Sequence, residues 1–268
     1  MEKIPSSLRK IIKSLSTTKG RKEHKAFVTE RDKNVRELLS SPFKLRWLVA
    51  TQEWHDHNPD LCIDKKKIFY ASESEMESMS SLSTPPSVLA VFDMPEDVSE
   101  TVRPVTGQLY LALDSIQDPG NLGTIVRVAD WFGVDTIFAS SDTVNVFNPK
   151  CVISTMGSIA RVKVVYCDLS QLLEKASQDG IVVWGTFLDG ENIFEVVKDT
   201  SPTGIVVMGN EGKGISQEVS AKISQKIVIP TYPSGRHDVE SLNVATATAI
   251  TLATMRANKL RTGPTIRH

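Results

Sequence analysis

From Gln108 onward the chain alternates short runs of β-branched residues with stretches of helical spacing, and nothing else in it constrains the fold as strongly. The runs 109–113, 136–139, 162–166, 181–186, 205–208 and 227–229 read as strands. Helices are expected over 122–132, 149–158, 170–179, 216–223 and 240–259. Strands and helices taken in turn predict an α/β fold, a mostly parallel sheet covered by helices. Ligands of such sheets bind at the carboxyl ends of the strands. Two strands end there in turn signals suited to holding a small molecule against main chain. Met208 runs into Gly209-Asn210-Glu211-Gly212-Lys213-Gly214, and Ile229-Pro230 leads through a polar loop into Glu240-Ser241-Leu242-Asn243. The glycines at 209, 212 and 214 are expected to allow positive φ and close approach of a ligand.

Ahead of this region lies a smaller α/β domain, residues 1–95. Residues 8–40 read as helical, with Leu8, Ile11, Ile12 and Leu15 on one face and an interruption at Gly20. Strands are expected over 45–50, 67–70 and 88–92, and a helix over 73–82, with Pro85-Pro86 breaking the chain between them. Residues 96–107 have linker composition, and 108–262 form the second domain.

Charge is uneven. Residues 1–70 carry 16 Lys and Arg against 9 Asp and Glu, whereas the whole chain has a net charge of −1. A basic N-terminal third suits a polyanion such as RNA, and equally a solvated helix. No apolar run approaches the roughly 20 residues that span a bilayer, and Met1 to Lys25 lack the apolar core of a secretory signal. Cys62, Cys151 and Cys167 form no close pair, so neither a disulfide framework nor a metal site is expected. These features are those of a reduced, cytoplasmic protein. His55-Asp56-His57 reads as a polar loop with no third ligand nearby.

Three segments carry candidate chemistry. In Asp118-Pro119-Gly120-Asn121-Leu122-Gly123, Asn121 is placed to cap the helix that follows. Arg127, farther along that helix among apolar neighbours, needs an anion or a carboxyl, with Asp130 and Glu211 available. The glycine loop 209–216 is neither a Walker A loop, since Ile215 follows Gly214, nor a dinucleotide fingerprint. Within it, Glu211 could meet a ligand's amine, pair with Arg127 or cap the next helix. Ser241 and Asn243 flank Leu242 at the entrance of the last helix.

In order and separation these segments resemble the three motifs of the SPOUT class of methyltransferases, in its SpoU branch. Motif one corresponds to Asn121-Leu122-Gly123 with Arg127, Ala129 and Phe132-Gly133. Motif two corresponds to Gly209-Asn210-Glu211-Gly212 with Gly214, and motif three to Ile229-Pro230 followed by Ser241-Leu242-Asn243-Val244-Ala245. The N-terminal part is similar to the ribosomal-protein-like RNA-binding domain often fused to this enzyme, through Phe27-Val28-Thr29-Glu30, Lys33-Asn34-Val35-Arg36-Glu37-Leu38 and the strand 88–92.

The resemblance implies a C-terminal trefoil knot and a homodimer formed through the knot region. It implies that S-adenosyl-methionine is held largely by backbone, with Thr186, Gly209, Ile229 and Leu242 lining its site. It also implies methyl transfer to a ribose 2′-hydroxyl of structured RNA, ribosomal in preference to transfer RNA. Arg127 falls to the hydroxyl, with Asn121, Glu211 and Asn243 positioning it. A non-catalytic RNA-binding member of the fold is the alternative. There are two departures: Thr231 stands where the family usually has Met, which bears on the adenine contacts, and the stretch 232–240 is lengthened, which bears on substrate specificity.

Overall fold

A computed structural model describes residues 2–96, 101–197, 202–233 and 241–262. It divides into two compact units, Met1–Asp97 with Asn145–Arg161, and Val98–Val144 with Val162–His268.

The first unit contains β1 (Glu2–Lys3), α1 (Ser6–Ser14), α2 (Thr18–His24), β2 (Ala26–Glu30), α3 (Asp32–Leu39), β3 (Leu45–Ala50), α4 (Gln52–Asp56), β4 (Ile68–Tyr70), α5 (Glu73–Met79) and β5 (Val88–Asp93). Its sheet runs β1-β4-β3-β5-β2. The first three strands are parallel, and β5 is antiparallel to both of its neighbours.

Three sequence expectations fail here. The helical reading of 8–40 breaks at β2, where five consecutive residues are buried and paired with β5. Phe27 stacks on Phe92 and meets Phe43 edge-on, a burial on both faces that periodicity cannot distinguish from a short helix. Gly20, expected as an interruption, lies inside α2. A Cβ there would approach the Ser14 carbonyl oxygen to 2.1 Å, so glycine is what lets α2 fold back on α1. His55 belongs to a helix rather than a loop. Thr51 caps α4 by accepting from the Trp54 N–H, and the Trp54 indole donates to Asp32 Oδ1 at 2.7 Å.

The stretch Asn145–Arg161 joins this unit although 108–262 reads as one domain in the sequence. The Phe147 ring centroid lies 4.7 Å from that of Phe27, and Asn34 Nδ2 donates to the Ile153 carbonyl at 3.3 Å.

The second unit contains β6 (Leu109–Leu113), α6 (Pro119–Trp131), β7 (Thr136–Ala139), β8 (Lys163–Tyr166), α8 (Leu169–Gln178), β9 (Val183–Asn192), α9 (Ile193–Val196), β10 (Gly204–Met208), α10 (Gln217–Ser220), β11 (Gln225–Val228) and α11 (Val244–Thr262), with α7 (Pro149–Ser154) in the stretch already described. The six strands are parallel, in the order β11-β9-β10-β6-β7-β8. The chain thus steps outward from β6 to β8, returns to the far side of β6, and closes on β11.

Ala112, Phe138, Val183, Ile205 and Val207 from the sheet pack with Leu169, Leu172, Leu173 and Ala176 of α8. Each fully buried aliphatic side chain contributes about 1.5–3 kcal/mol. Val102, within the expected linker, also packs against this cluster. On α6, Leu122, Ile125, Val126 and Ala129 form the buried stripe. Arg256 of α11 donates from Nε to the Phe132 carbonyl at 3.1 Å and from a terminal nitrogen to that of Gly133 at 3.2 Å, satisfying the end of α6.

β9 serves two neighbours. Val183–Gly185 pair with β10, Trp184 and Gly185 also pair with the start of β11, and Glu191 and Asn192 pair with its end. The intervening 186–190 bulge out, with Leu188 83% exposed.

Candidate active site

Helix α6 opens at Asp118, not at Asn121. Asp118 Oδ1 accepts from the Asn121 N–H at 2.8 Å, and Pro119, which has no N–H to leave unsatisfied, occupies the first turn. Asn121 therefore keeps its side chain free of capping. Its Nδ2 donates to Glu211 Oε1 at 2.5 Å, and its Oδ1 accepts from Asn243 Nδ2 at 3.0 Å. Asn243 in turn caps α11, its Oδ1 accepting from the N–H groups of Ala245 and Thr246 at 3.0 and 3.2 Å. One hydrogen-bonded chain thus joins the loop after β10 and the heads of two helices.

The loop after β10 is a small hairpin. Asn210 and Gly214 exchange backbone bonds of 3.0 and 2.9 Å, and Asn210 Oδ1 accepts from the N–H groups of Gly212 and Lys213. Only Gly214 of its three glycines has positive φ, at 70°. Gly209 is required for another reason: a Cβ there would lie 2.4 Å from the Gly214 carbonyl carbon and the Ile215 nitrogen. The loop's return path fills that space.

Arg127 lies six residues beyond Asn121, about 9 Å along the helix axis. It is exposed rather than packed among its apolar neighbours, and among the described residues it has no hydrogen-bond or ion-pair partner. Neither Asp130 nor Glu211 is paired with it, and Glu211 accepts from Asn121 instead. Thr186 stands where β9 leaves β10, donating its hydroxyl to the Val207 carbonyl at 3.3 Å. Ile229, half-buried, follows β11, and Leu242, 45% exposed, precedes Asn243. His237 and the rest of 234–240 lie outside the described residues. Among the described residues no cluster of side chains suits a metal, and no helix is long and apolar enough to cross a membrane.

The profile of the SpoU rRNA Methylase family matches residues 108–253. The chain belongs to that family. A second profile, the MRM3-like substrate binding domain, matches residues 9–90. The Bacillus subtilis 23S rRNA (guanosine(2553)-2'-O)-methyltransferase RlmP is 31% identical over 91% of this chain and 94% of its own length. A solved structure, a putative RNA methyltransferase of the TrmH family from Porphyromonas gingivalis, superposes with a TM-score of 0.82 at 36% identity, covering 95% of this chain and 99% of that one. An AdoMet-bound rRNA methyltransferase from Sinorhizobium meliloti superposes with a TM-score of 0.81 at 27% identity, covering 96% and 97%.

In this SpoU chain the site rests on residues the sequence reading passed over. Asn210 Nδ2 donates to the Ser115 carbonyl at 2.8 Å, and Asp114 Oδ2 accepts from the Ser216 N–H at 2.7 Å. Ser115 has φ 59° and donates its hydroxyl to Asp142 Oδ2 at 2.5 Å, while Ser140 donates to Asp142 Oδ1 at 2.6 Å. Those two hydroxyls hold the Asp142 carboxyl below the usual carboxylate range. An acid directly after an apolar strand was the available signal.

Proposed function

We propose that this SpoU chain transfers the methyl group of S-adenosyl-methionine to a ribose 2′-hydroxyl of structured RNA, with ribosomal RNA as the substrate. The observation that carries this reading is the chain of hydrogen bonds from Glu211 through Asn121 to Asn243, with an exposed Arg127 farther along the same helix. Similarity to an rRNA 2'-O-methyltransferase over nearly the full length of both proteins supports ribosomal over transfer RNA.

The site fits such a donor in its chemistry. Partly open apolar side chains at Ile229 and Leu242 suit an adenine ring, and the glycines of the tight 209–216 loop leave its main chain approachable. Thr186, Gly209, Ile229 and Leu242 would hold it. When bound, the donor supplies a methyl carbon already activated toward nucleophiles.

The residues of this chain have to align a weak nucleophile with that carbon; the new O–C bond would form as the donor's S–C bond breaks, and the hydroxyl proton would leave to solvent water. A guanidinium offers donors and no acceptor, so Arg127 orients the hydroxyl and neutralises the neighbouring phosphate. Asn121, Glu211 and Asn243 set the geometry in which it does so. Residues 1–95 bind the RNA, the basic residues of 9–25 meeting phosphates, 96–107 connect, and 108–262 carry the chemistry. Two copies pair through the knot region in the cytoplasm.

The test is methyl transfer from labelled S-adenosyl-methionine to ribosomal RNA, with mapping of 2′-O-methylation. Arg127→Ala should lower turnover on the order of a hundredfold or more while cofactor and RNA binding persist. Wild-type protein that binds RNA yet never transfers a methyl group would establish a non-catalytic binding module instead.

A further inference from the structure

Asp114 is a carboxyl-bearing residue only 3% exposed, one position beyond the end of β6. Its Oδ2 accepts the Ser216 N–H at 2.7 Å, and its Oδ1 receives a long contact of 3.5 Å from the Ser115 hydroxyl. Among the described residues no cation pairs with it. Burying a carboxyl with so little compensation is costly, and a well-packed apolar residue would serve a plain strand end better.

The geometry around it shows what is gained. Ser216 lies two residues beyond the hairpin that carries Glu211, and Asp114 grips that exit from a point 102 residues earlier in the chain. The next residue grips the other end, since the Ser115 carbonyl accepts from Asn210 Nδ2 at 2.8 Å. Helix α6 begins at Pro119, four residues after Ser115. Asn121 and Glu211 therefore hang from one two-residue anchor, reached from opposite sides. Without the grip on Ser216, the hairpin keeps its Asn210–Gly214 backbone bonds, the Asn210 bond to Ser115 and the packing of Ile215, but its exit loses its polar tie and Glu211 is freer to move from Asn121.

We propose that Asp114 is a positioning residue that fixes Glu211 against Asn121 by pinning the far end of the 209–216 loop. The proposal rests on the methyl-transfer reading for its kinetic consequence, while the pin itself is observable without it.

The experiment compares Asp114→Ala and Asp114→Asn in the full chain, alone and with Glu211→Ala. Asp114→Ala should lower kcat by about tenfold or more with the RNA KM within about twofold, because an interaction that only sets geometry acts on turnover. In the Glu211→Ala background the same change should cost less than about twofold, as expected of residues acting through one another. Asp114→Asn, which keeps an oxygen acceptor, should recover most of the loss. Hydrogen exchange should show the Ser216 amide unprotected in Asp114→Ala and protected in wild type. If Asp114→Ala does not fold, Asp114→Val, close in shape, is read by the same exchange and kinetics. Equal losses with and without Glu211, or an amide at Ser216 still protected in the apolar variants, would overturn the proposal. If wild-type protein transfers no methyl group, the functional reading fails, while the exchange at Ser216 still reports on the pin.

Discussion

Asn243 donates from Nδ2 to Asn121 Oδ1 at 3.0 Å across 122 residues of chain, while its own Oδ1 caps α11. The two tasks can be separated. Asn243→Asp keeps an oxygen for the Ala245 N–H but cannot donate to Asn121. Thermal stability should change little, and methyl transfer should fall on the order of tenfold or more. Asn243→Ala should lose the cap as well, costing about 1 kcal/mol in denaturant unfolding. Equal activity in wild type and Asn243→Asp would remove Asn243 from the site.

Gly20 lies against the main chain of α1, 2.1 Å from the Ser14 oxygen once a Cβ is added. Backbone cannot move aside as a side-chain tip can. Gly20→Ala should therefore destabilise the first unit by about 1–3 kcal/mol, read from urea unfolding monitored by tryptophan fluorescence.

The Cys167 thiol is pushed up to about 11, chiefly by burial and then by the charge of Asp168. At pH 8 only about one part in a thousand would be thiolate. Cys151 is buried, and Cys62 is exposed. A thiol-reactive reagent at that pH should modify Cys62 rapidly and the other two only on unfolding. Mass spectrometry of digested protein distinguishes the three.

Hydrogen bonds from Ser115, and then Ser140, lower the Asp142 carboxyl below its unfolded value of 3.8. A carboxyl depressed in the folded state contributes stability above its unfolded pKa, and that contribution disappears as pH falls through the folded value. Asp142→Asn should thus flatten the loss of stability on acidification below about pH 4. Urea midpoints collected across the acid range would show the difference in slope.

The sheet of the second unit was legible because its strands are short apolar runs, most with β-branched residues, bounded by turn residues, and β6 and β7 match their expected limits. β2 was not, since Ala26–Glu30 follows a basic helical stretch and is buried on both faces. The start of α6 was misread because Asp118 and Asn121 are equally able caps, and only the fold decides which one Pro119 favours. Spacing could not unite Asn121, Glu211 and Asn243, which lie 90 and 122 residues apart; resemblance to a family proposed the grouping, and the hydrogen bonds realise it. Asp114 escaped notice because an acid after a strand ordinarily faces water.

The bulge in β9 leaves one strand with two independent registers, one shared by β10 and the start of β11 and one set only by the end of β11. Between Thr186, bonded to Val207, and Gly190, packed on the Ile227 main chain, residues 187–189 belong to neither ladder. A change in their number would alter the overhang while both ladders keep their partners.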